Sequence, residues 1–257
     1  MIPLCFLDDS LSAQARHLAK ELDLSLDQDN KIESDYKLQL GLDGLSLVNN
    51  NHKKNTSIKI DFCQGQTQHR LKFGGGLGQP LVKACNIKEK HKPTILDVTA
   101  GMGKDAFVLA SHGANVLLCE RNPMIHALLY DGLKRAQHCD DIDLIIQRMT
   151  LIHADAVTYL LKLSEQHDPD VIYPDVIYID PMYPKNKNSA LPNKAMQFFQ
   201  TILGDDLDSD DLLDAALTRA QQRVVVKRPL KATPIAGKKP DFSYPSKNTR
   251  FDVYQMR

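Results

Sequence analysis

Two stretches of this sequence combine residue types and spacings that could do chemistry. The first is Gly101-Met102-Gly103-Lys104-Asp105-Ala106, which satisfies the pattern G-x-G-x-x-[G/A]. Glycines in such a turn let the backbone bend tightly and approach a ligand with no Cβ in the way. Glu120 lies 17 residues beyond Gly103, at the end of the next apolar run, where an acid can accept both hydroxyls of an adenosine ribose. Strand, glycine turn, helix, strand and acid in that order are far more specific than the glycines alone.

This geometry serves a dinucleotide or S-adenosylmethionine (SAM), and a purely structural turn is the third reading. Asp97 separates the two ligands. It sits in the strand four residues before Gly101, where a carboxylate suits the amino group of the methionine part of SAM and is awkward beside a pyrophosphate. Asp155 follows the third strand of the pattern and either accepts a hydrogen bond from an adenine amine or caps the next helix.

The second stretch is Val176-Ile-Tyr-Ile-Asp-Pro-Met-Tyr-Pro184, an apolar strand ending in a proline-stiffened turn. An exocyclic amine on a nucleic-acid base is a weak nucleophile because its lone pair is delocalised into the ring. Acceptors that hold its hydrogens favour methyl attack; Asp180 offers a carboxylate and Pro181 a carbonyl, and Tyr183 can stack on an extruded base. The turn resembles the D-P-P-Y motif of amino-group methyltransferases, with Met182 in place of the second proline. A strand-ending turn with Tyr183 in the core is the bland alternative.

The elements needed to position these groups follow from periodicity. Strands are expected at 95–98, 115–119, 151–153, 176–179, 223–226 and 251–254, with helices at 104–111, from Asn122-Pro123 through 137, and near 155–164, 193–203 and 210–221. Alternating strands and helices imply an α/β fold, a mostly parallel seven-stranded sheet of Rossmann-like type with a last antiparallel strand near 251–255. Ahead of it, a helix at 12–22 with Ser12 as N-cap, a hairpin about Asp43-Gly44 and a strand at 57–62 predict a small antiparallel sheet. Residues 1–92 therefore read as a small α+β domain and 93–257 as the ligand-binding domain, with 88–92 as a linker.

Formal net charge is zero, but its distribution is uneven. Residues 52–92 hold nine basic and two acidic side chains and 219–257 hold ten and two, whereas 93–218 hold nine and nineteen. Two basic segments flanking an acidic middle can meet an anionic partner locally. Candidates for phosphate contact are His69, Arg70 and Lys72 before the Gly74–Gly76 run, and Lys227 and Arg228 after the Val224-Val225-Val226 strand. Solvated surface charge is the alternative for each, and for Arg121 beside the helix start. Five cysteines without C-x-x-C or zinc spacing point to reduced, mostly buried thiols and no metal. The amino terminus lacks the basic and cleavage features of a signal peptide, and no apolar run is long enough for a membrane span, so a cytoplasmic protein is expected.

Together, HRLKFGGGLGQPLVKA, ILDVTAGMGKDAFVLASHGANVLLCERNP, LIHADA, YIDPMYP, MQFFQTILGDDLDSDDLL and VVVKRP resemble the ribosomal RNA small subunit methyltransferase J family across most of residues 65–257. The resemblance implies a class I SAM-dependent methyltransferase that modifies the N2 amine of a guanine in 16S ribosomal RNA, alone or in the small subunit. It places Lys104, Asp105, Glu120, Arg121, Asp155, Ala156 and Asp180 in the SAM site. Asp155-Ala156 stands where the family can instead carry two serines. The rival readings are an amino-methyltransferase acting on another RNA or DNA base, and a non-catalytic RNA-binding protein that keeps the SAM fold.

Overall fold

The computed structural model describes residues 3–29, 31–32, 34–49, 56–64, 76–165, 173–181 and 209–256. Among them the strands form two sheets. The larger one contains β6 (Thr94–Asp97), β7 (Asn115–Glu120), β8 (Met149–His153), β9 (Val176–Ile179), β10 (Arg223–Pro229), β11 (Phe242–Pro245) and β12 (Thr249–Gln255). Their order is β11-β12-β10-β9-β6-β7-β8. The five strands from β10 to β8 run parallel, and β12 lies antiparallel to both β10 and β11, as the expected final strand requires.

The chain works outward from β6 to β7 and β8, then returns to the other side of β6 to lay down β9 and β10. That reversal opens a crevice at the carboxyl ends of β6 and β9, where open α/β sheets bind ligands. Both faces are covered, so the central strands are apolar throughout: all four residues of β9 are buried. Ile95, Val116, Tyr178 and Val225 pack on one face with the helices α3 (Lys104–Ser111) and α4 (Pro123–Ala136). Leu96, Ile177, Ile179, Val224 and Val226 pack on the other, toward α6 (Ala156–Glu165) and α7 (Ser209–Leu217). The remaining helices are α1 (Ser12–Glu21), α2 (Pro80–Ala84) and the single turn α5 (Asp143–Ile146).

The smaller sheet differs from the expected antiparallel one. Its order is β2-β1-β3-β4-β5, with β1 (Pro3–Phe6) parallel to both β2 (Ser25–Leu26) and β3 (Tyr36–Gly41). The crossover is α1, which returns the chain so that β2 can lie beside β1; a four-residue strand carries too little alternation to show in the sequence. The hairpin of β3 with β4 (Gly44–Asn49) forms where expected, and β5 is short, Thr56–Ile58. Helix α1 is preceded by a single helical turn, Asp9–Leu11, whose cap is Asp8, so Ser12 is not the cap.

The two sheets share one continuous apolar core, running from Leu4 and Leu38 through Ile60 and Phe62 to Leu118 and Leu129. Helix α4 joins them. Its buried Asp131 carboxylate accepts the Leu45 N–H of the hairpin at 3.0 Å and the Arg135 Nε–H at 2.8 Å, and Arg135 donates to the Ile60 carbonyl. Cys63 and Cys139 form a disulfide, which corrects the expectation of reduced thiols throughout. Seventy-six residues separate them, and only the docking of the Ile60–Cys63 segment on α4 brings them together. Cys5, Cys85 and Cys119 are free and buried. No helix of the described residues is long and apolar enough to cross a membrane.

Candidate active site

The first part of the site is the turn from β6 into α3. Gly101 and Gly103 both have positive φ, 52° and 68°, in the left-handed region that side chains disfavour. Their surroundings differ. A Cβ on Gly103 would lie 2.8 Å from Leu129 Cδ1 and 3.1 Å from Phe62 Cζ, so this glycine lets the turn settle on the core. A Cβ on Gly101 would meet nothing closer than the Thr99 carbonyl at 3.8 Å, so this glycine faces open space. The second glycine is for packing and the first for approach. Phe62, which stacks on Phe107 of α3, forms the floor beneath the turn and was not singled out from the sequence.

Glu120 ends β7 and is buried. One carboxylate oxygen accepts the Gly101 N–H at 2.9 Å and the other the Asn122 N–H at 2.7 Å. The acid is thus tied to the glycine turn and to the start of α4. Asn122 caps that helix by accepting the Met124 and Ile125 N–H groups, with Pro123 at its first position, as expected. Asp155 stands at the start of α6 and caps it: Oδ1 accepts the Thr158 N–H at 2.9 Å and its hydroxyl at 2.8 Å. These bonds, the backbone one first, and the neighbouring Arg121 hold its carboxyl below the usual aspartate range. The capping alternative is realised, and the same residue borders the Glu120 end of the sheet. Arg121 is exposed, Lys104 is half-buried at the head of α3, and Ala156 is buried at the head of α6.

The second part lies in the crevice between β6 and β9. Asp97 is 2% exposed and accepts the Thr99 N–H at 3.1 Å. Burial pushes its carboxyl up to about 8; the Thr99 amide opposes this, and the Asp105 and Asp180 carboxylates add to it. Thr99 Oγ also accepts the Asp180 N–H at 2.7 Å, so one threonine joins the end of β6 to the turn after β9. Its place between Asp97 and Gly101 was the only sign of this in the sequence. Pro181 is buried at the same end of the sheet, and Tyr183 lies outside the described residues.

Lys227 departs from the expected role in phosphate contact. Its ammonium donates to Asp105 Oδ2 at 2.8 Å and to Asp180 Oδ2 at 2.7 Å. An RNA phosphate would have to draw it away from two carboxylates. Arg228 is buried, 8% exposed, and donates to the Thr233 carbonyl, because alternation along β10 turns it away from Lys227. His69, Arg70 and Lys72 lie outside the described residues.

The residues present fit SAM. A buried carboxyl with a raised pKa stands before an open glycine turn, where an ammonium would stabilise its charged form, and a second acid is held by backbone amides at the end of the next strand.

Comparison with known proteins agrees. Residues 17–256 match the family model of SAM-dependent methyltransferases. A ribosomal RNA small subunit methyltransferase J of Pseudomonas paraeruginosa is 44% identical over 95% of this chain and 90% of its own. The chain belongs to this family. Members from Colwellia psychrerythraea, 44% identical over 98% of this chain and 92% of theirs, and Thioalkalivibrio sulfidiphilus, 43% over 98% and 97%, extend the likeness through the smaller sheet. A crystal structure of a SAM-dependent methyltransferase from Neisseria gonorrhoeae superposes with a TM-score of 0.77 at 33% identity, covering 98% of this chain and 95% of that one. The cofactor is SAM and the fold is the class I, Rossmann-like one.

Proposed function

We propose that this protein transfers a methyl group from SAM to the N2 exocyclic amine of a guanine in 16S ribosomal RNA. The observation that carries the reading is the meeting of Asp97 and Asp180 at the β6–β9 crevice, joined through Thr99, which brings a cofactor-side and a substrate-side acid to one place. The relatives' names supply the RNA class. Bound at the glycine turn, SAM supplies a methyl carbon activated by a sulfonium.

Asp97 holds the ammonium of the cofactor and Glu120 its ribose hydroxyls; Asp105, Lys104, Arg121, Asp155 and Ala156 line the rest of its site. Asp180 and the Pro181 carbonyl accept the two N–H groups of the guanine amine, and Tyr183 stacks on the base. With SAM held there, its sulfonium would supply the methyl group to the amine nitrogen that Asp180 and Pro181 orient, the sulfur keeping the electron pair of the bond it loses. The product amine then gives its extra proton to solvent. The protein contributes mainly position, since little covalent chemistry falls to it. Residues 93–257 carry this chemistry. Residues 1–92 place Phe62 beneath the turn and offer His69, Arg70 and Lys72 to phosphate in the cytoplasmic ribosomal substrate.

Tritiated SAM with 16S RNA and with small subunits from a strain lacking the gene tests the reading. Methyl label recovered as N2-methylguanine is the expected result; label on another base, or on DNA, would reassign the substrate. SAM binding with no methyl incorporation on either RNA would favour a binding protein. Asp180→Ala should lower the rate about a hundredfold or more while SAM binding persists, and an Asp180→Ala protein as fast as wild type would remove Asp180 from the mechanism.

A further inference from the structure

The register of the large sheet carries a consequence for Asp180. Val226 of β10 pairs with Ile179 of β9 in parallel, so Lys227 emerges level with Asp180. From there its ammonium reaches the substrate-side Asp180 and the cofactor-side Asp105 at once, at 2.7 and 2.8 Å. Asp105 Oδ2 has a second donor, the Tyr178 hydroxyl at 2.8 Å. Asp105 and Asp180 both act as like charges on Asp97, in a crevice where Asp97 and Tyr178 are buried. Burial opposes the Lys227 charge, yet Asp180 and Asp105 outweigh it and hold its pKa above the usual lysine range. The cross-strand neighbour from β12 is Phe251, and the flanking Asp252 is engaged by Arg250 and Ser243. The described carboxylates facing this ammonium are therefore those of the site.

We infer that Lys227 is a positioning residue for methyl transfer: bridging Asp105 and Asp180, it fixes one Asp180 oxygen and keeps that carboxylate ionised to accept the target amine. This rests on the reading of Asp180 as the group that holds the amine. A protonated Asp180 would offer one acceptor oxygen fewer and a competing donor. Asp105 keeps the Tyr178 bond when Lys227 is lost, so cofactor binding should depend on Lys227 less than the transfer step does.

The test is Lys227→Met against Lys227→Arg in the full chain. Single-turnover transfer at saturating SAM should fall about a hundredfold in K227M, with the acid limb of its pH profile moved to higher pH. The SAM Kd should change far less, and K227R should recover part of the rate with the limb near its wild-type place. Carbon-13 NMR of the aspartate carboxyls, with the Asp180 signal assigned from D180N, follows the same proton without any substrate. Asp180 should titrate at higher pH in K227M than in wild type. If K227M does not fold, K227M/D105N lowers the negative charge left in the crevice and allows the same titration. An unmoved Asp180 titration, or SAM binding lost in step with the rate, would overturn the inference. A wild-type protein that methylates no RNA would instead defeat the functional reading, leaving the NMR titration to decide what Lys227 does to Asp180.

Discussion

The two halves of the carboxyl edge of the large sheet hold their acids by different means. At the inner half, around β6, β9 and β10, Asp97, Asp105 and Asp180 share a crevice with one ammonium and one phenol. At the outer half, around β7 and β8, main-chain N–H groups hold the acids: those of Gly101 and Asn122 hold Glu120, and that of Thr158, in the helix it caps, holds Asp155. Amides are fixed by the fold and do not titrate, so the outer acids stay oriented whatever is bound. Inner acids answer to one another, and a ligand's charge can change their protonation. On the proposed reading the adenosine end is set in advance, whereas the reacting end responds to what enters it.

Asp97→Asn is the strongest challenge to this contrast within the cofactor site. It should weaken SAM binding about 10- to 100-fold, as expected for losing a charge-assisted hydrogen bond of about 1.5–3 kcal/mol. The pH dependence follows from the raised pKa. Unfolded, Asp97 ionises near pH 4; folded and without ligand it keeps its proton up to about pH 8. Between those values the folded state binds the extra proton, so stability of the ligand-free protein falls as pH rises through the window. An incoming ammonium favours the ionised form, so wild-type SAM binding should release a proton below about pH 8 and tighten as pH rises toward it. Calorimetry in buffers of different ionisation enthalpy reads that proton, and Asp97→Asn should abolish it. No proton release in wild type would leave the inner half as fixed as the outer.

Glu120→Ala comes next. It removes the proposed ribose contact and frees the Gly101 and Asn122 amides together, so SAM affinity should fall about tenfold, with a melting temperature lower by several degrees. That loss should be nearly flat from pH 6 to pH 9, in contrast to the wild-type slope from Asp97. The smallest effect belongs to Asp155→Ala. It should cost about 1 kcal/mol of stability through the lost cap on Ala156–Glu165 and change SAM affinity only a few-fold. A larger affinity loss there than in Asp97→Asn would reverse the ranking of the two halves.

The outer half was legible in the sequence because its signals are local. Asn122-Pro123, the glycine spacing and Glu120 announce a helix start, a turn and a strand end, and the structure places them so. The fold class, the antiparallel final strand and the hairpin about Asp43-Gly44 were legible for the same reason. What was hidden depends on pairing between distant segments. The parallel partner of β1, the Cys63–Cys139 bond and β11 each need a neighbour that periodicity cannot name. Lys227 is the telling case: as part of a basic run it reads as a phosphate ligand. Only the register of β10 against β9 brings it to two carboxylates 47 and 122 residues away.

Phe62 beneath Gly103 also bears on how the chain is made. Synthesis proceeds from the amino terminus, and domains generally fold as units in that order. Here the first sheet leaves the ribosome with an unfinished core: Ile60 and Phe62 find their partners only when Leu129 and Arg135 have been added. Until α4 emerges, α1 packs on the nascent first sheet but the Ile60–Phe62 segment lacks its partners, and the glycine turn has no floor until Phe62 is in place. The glycine turn and the amino-terminal sheet therefore complete each other only once α4 has been added, about midway along the chain, so a chain released before that would be left with exposed apolar side chains and a turn without its floor.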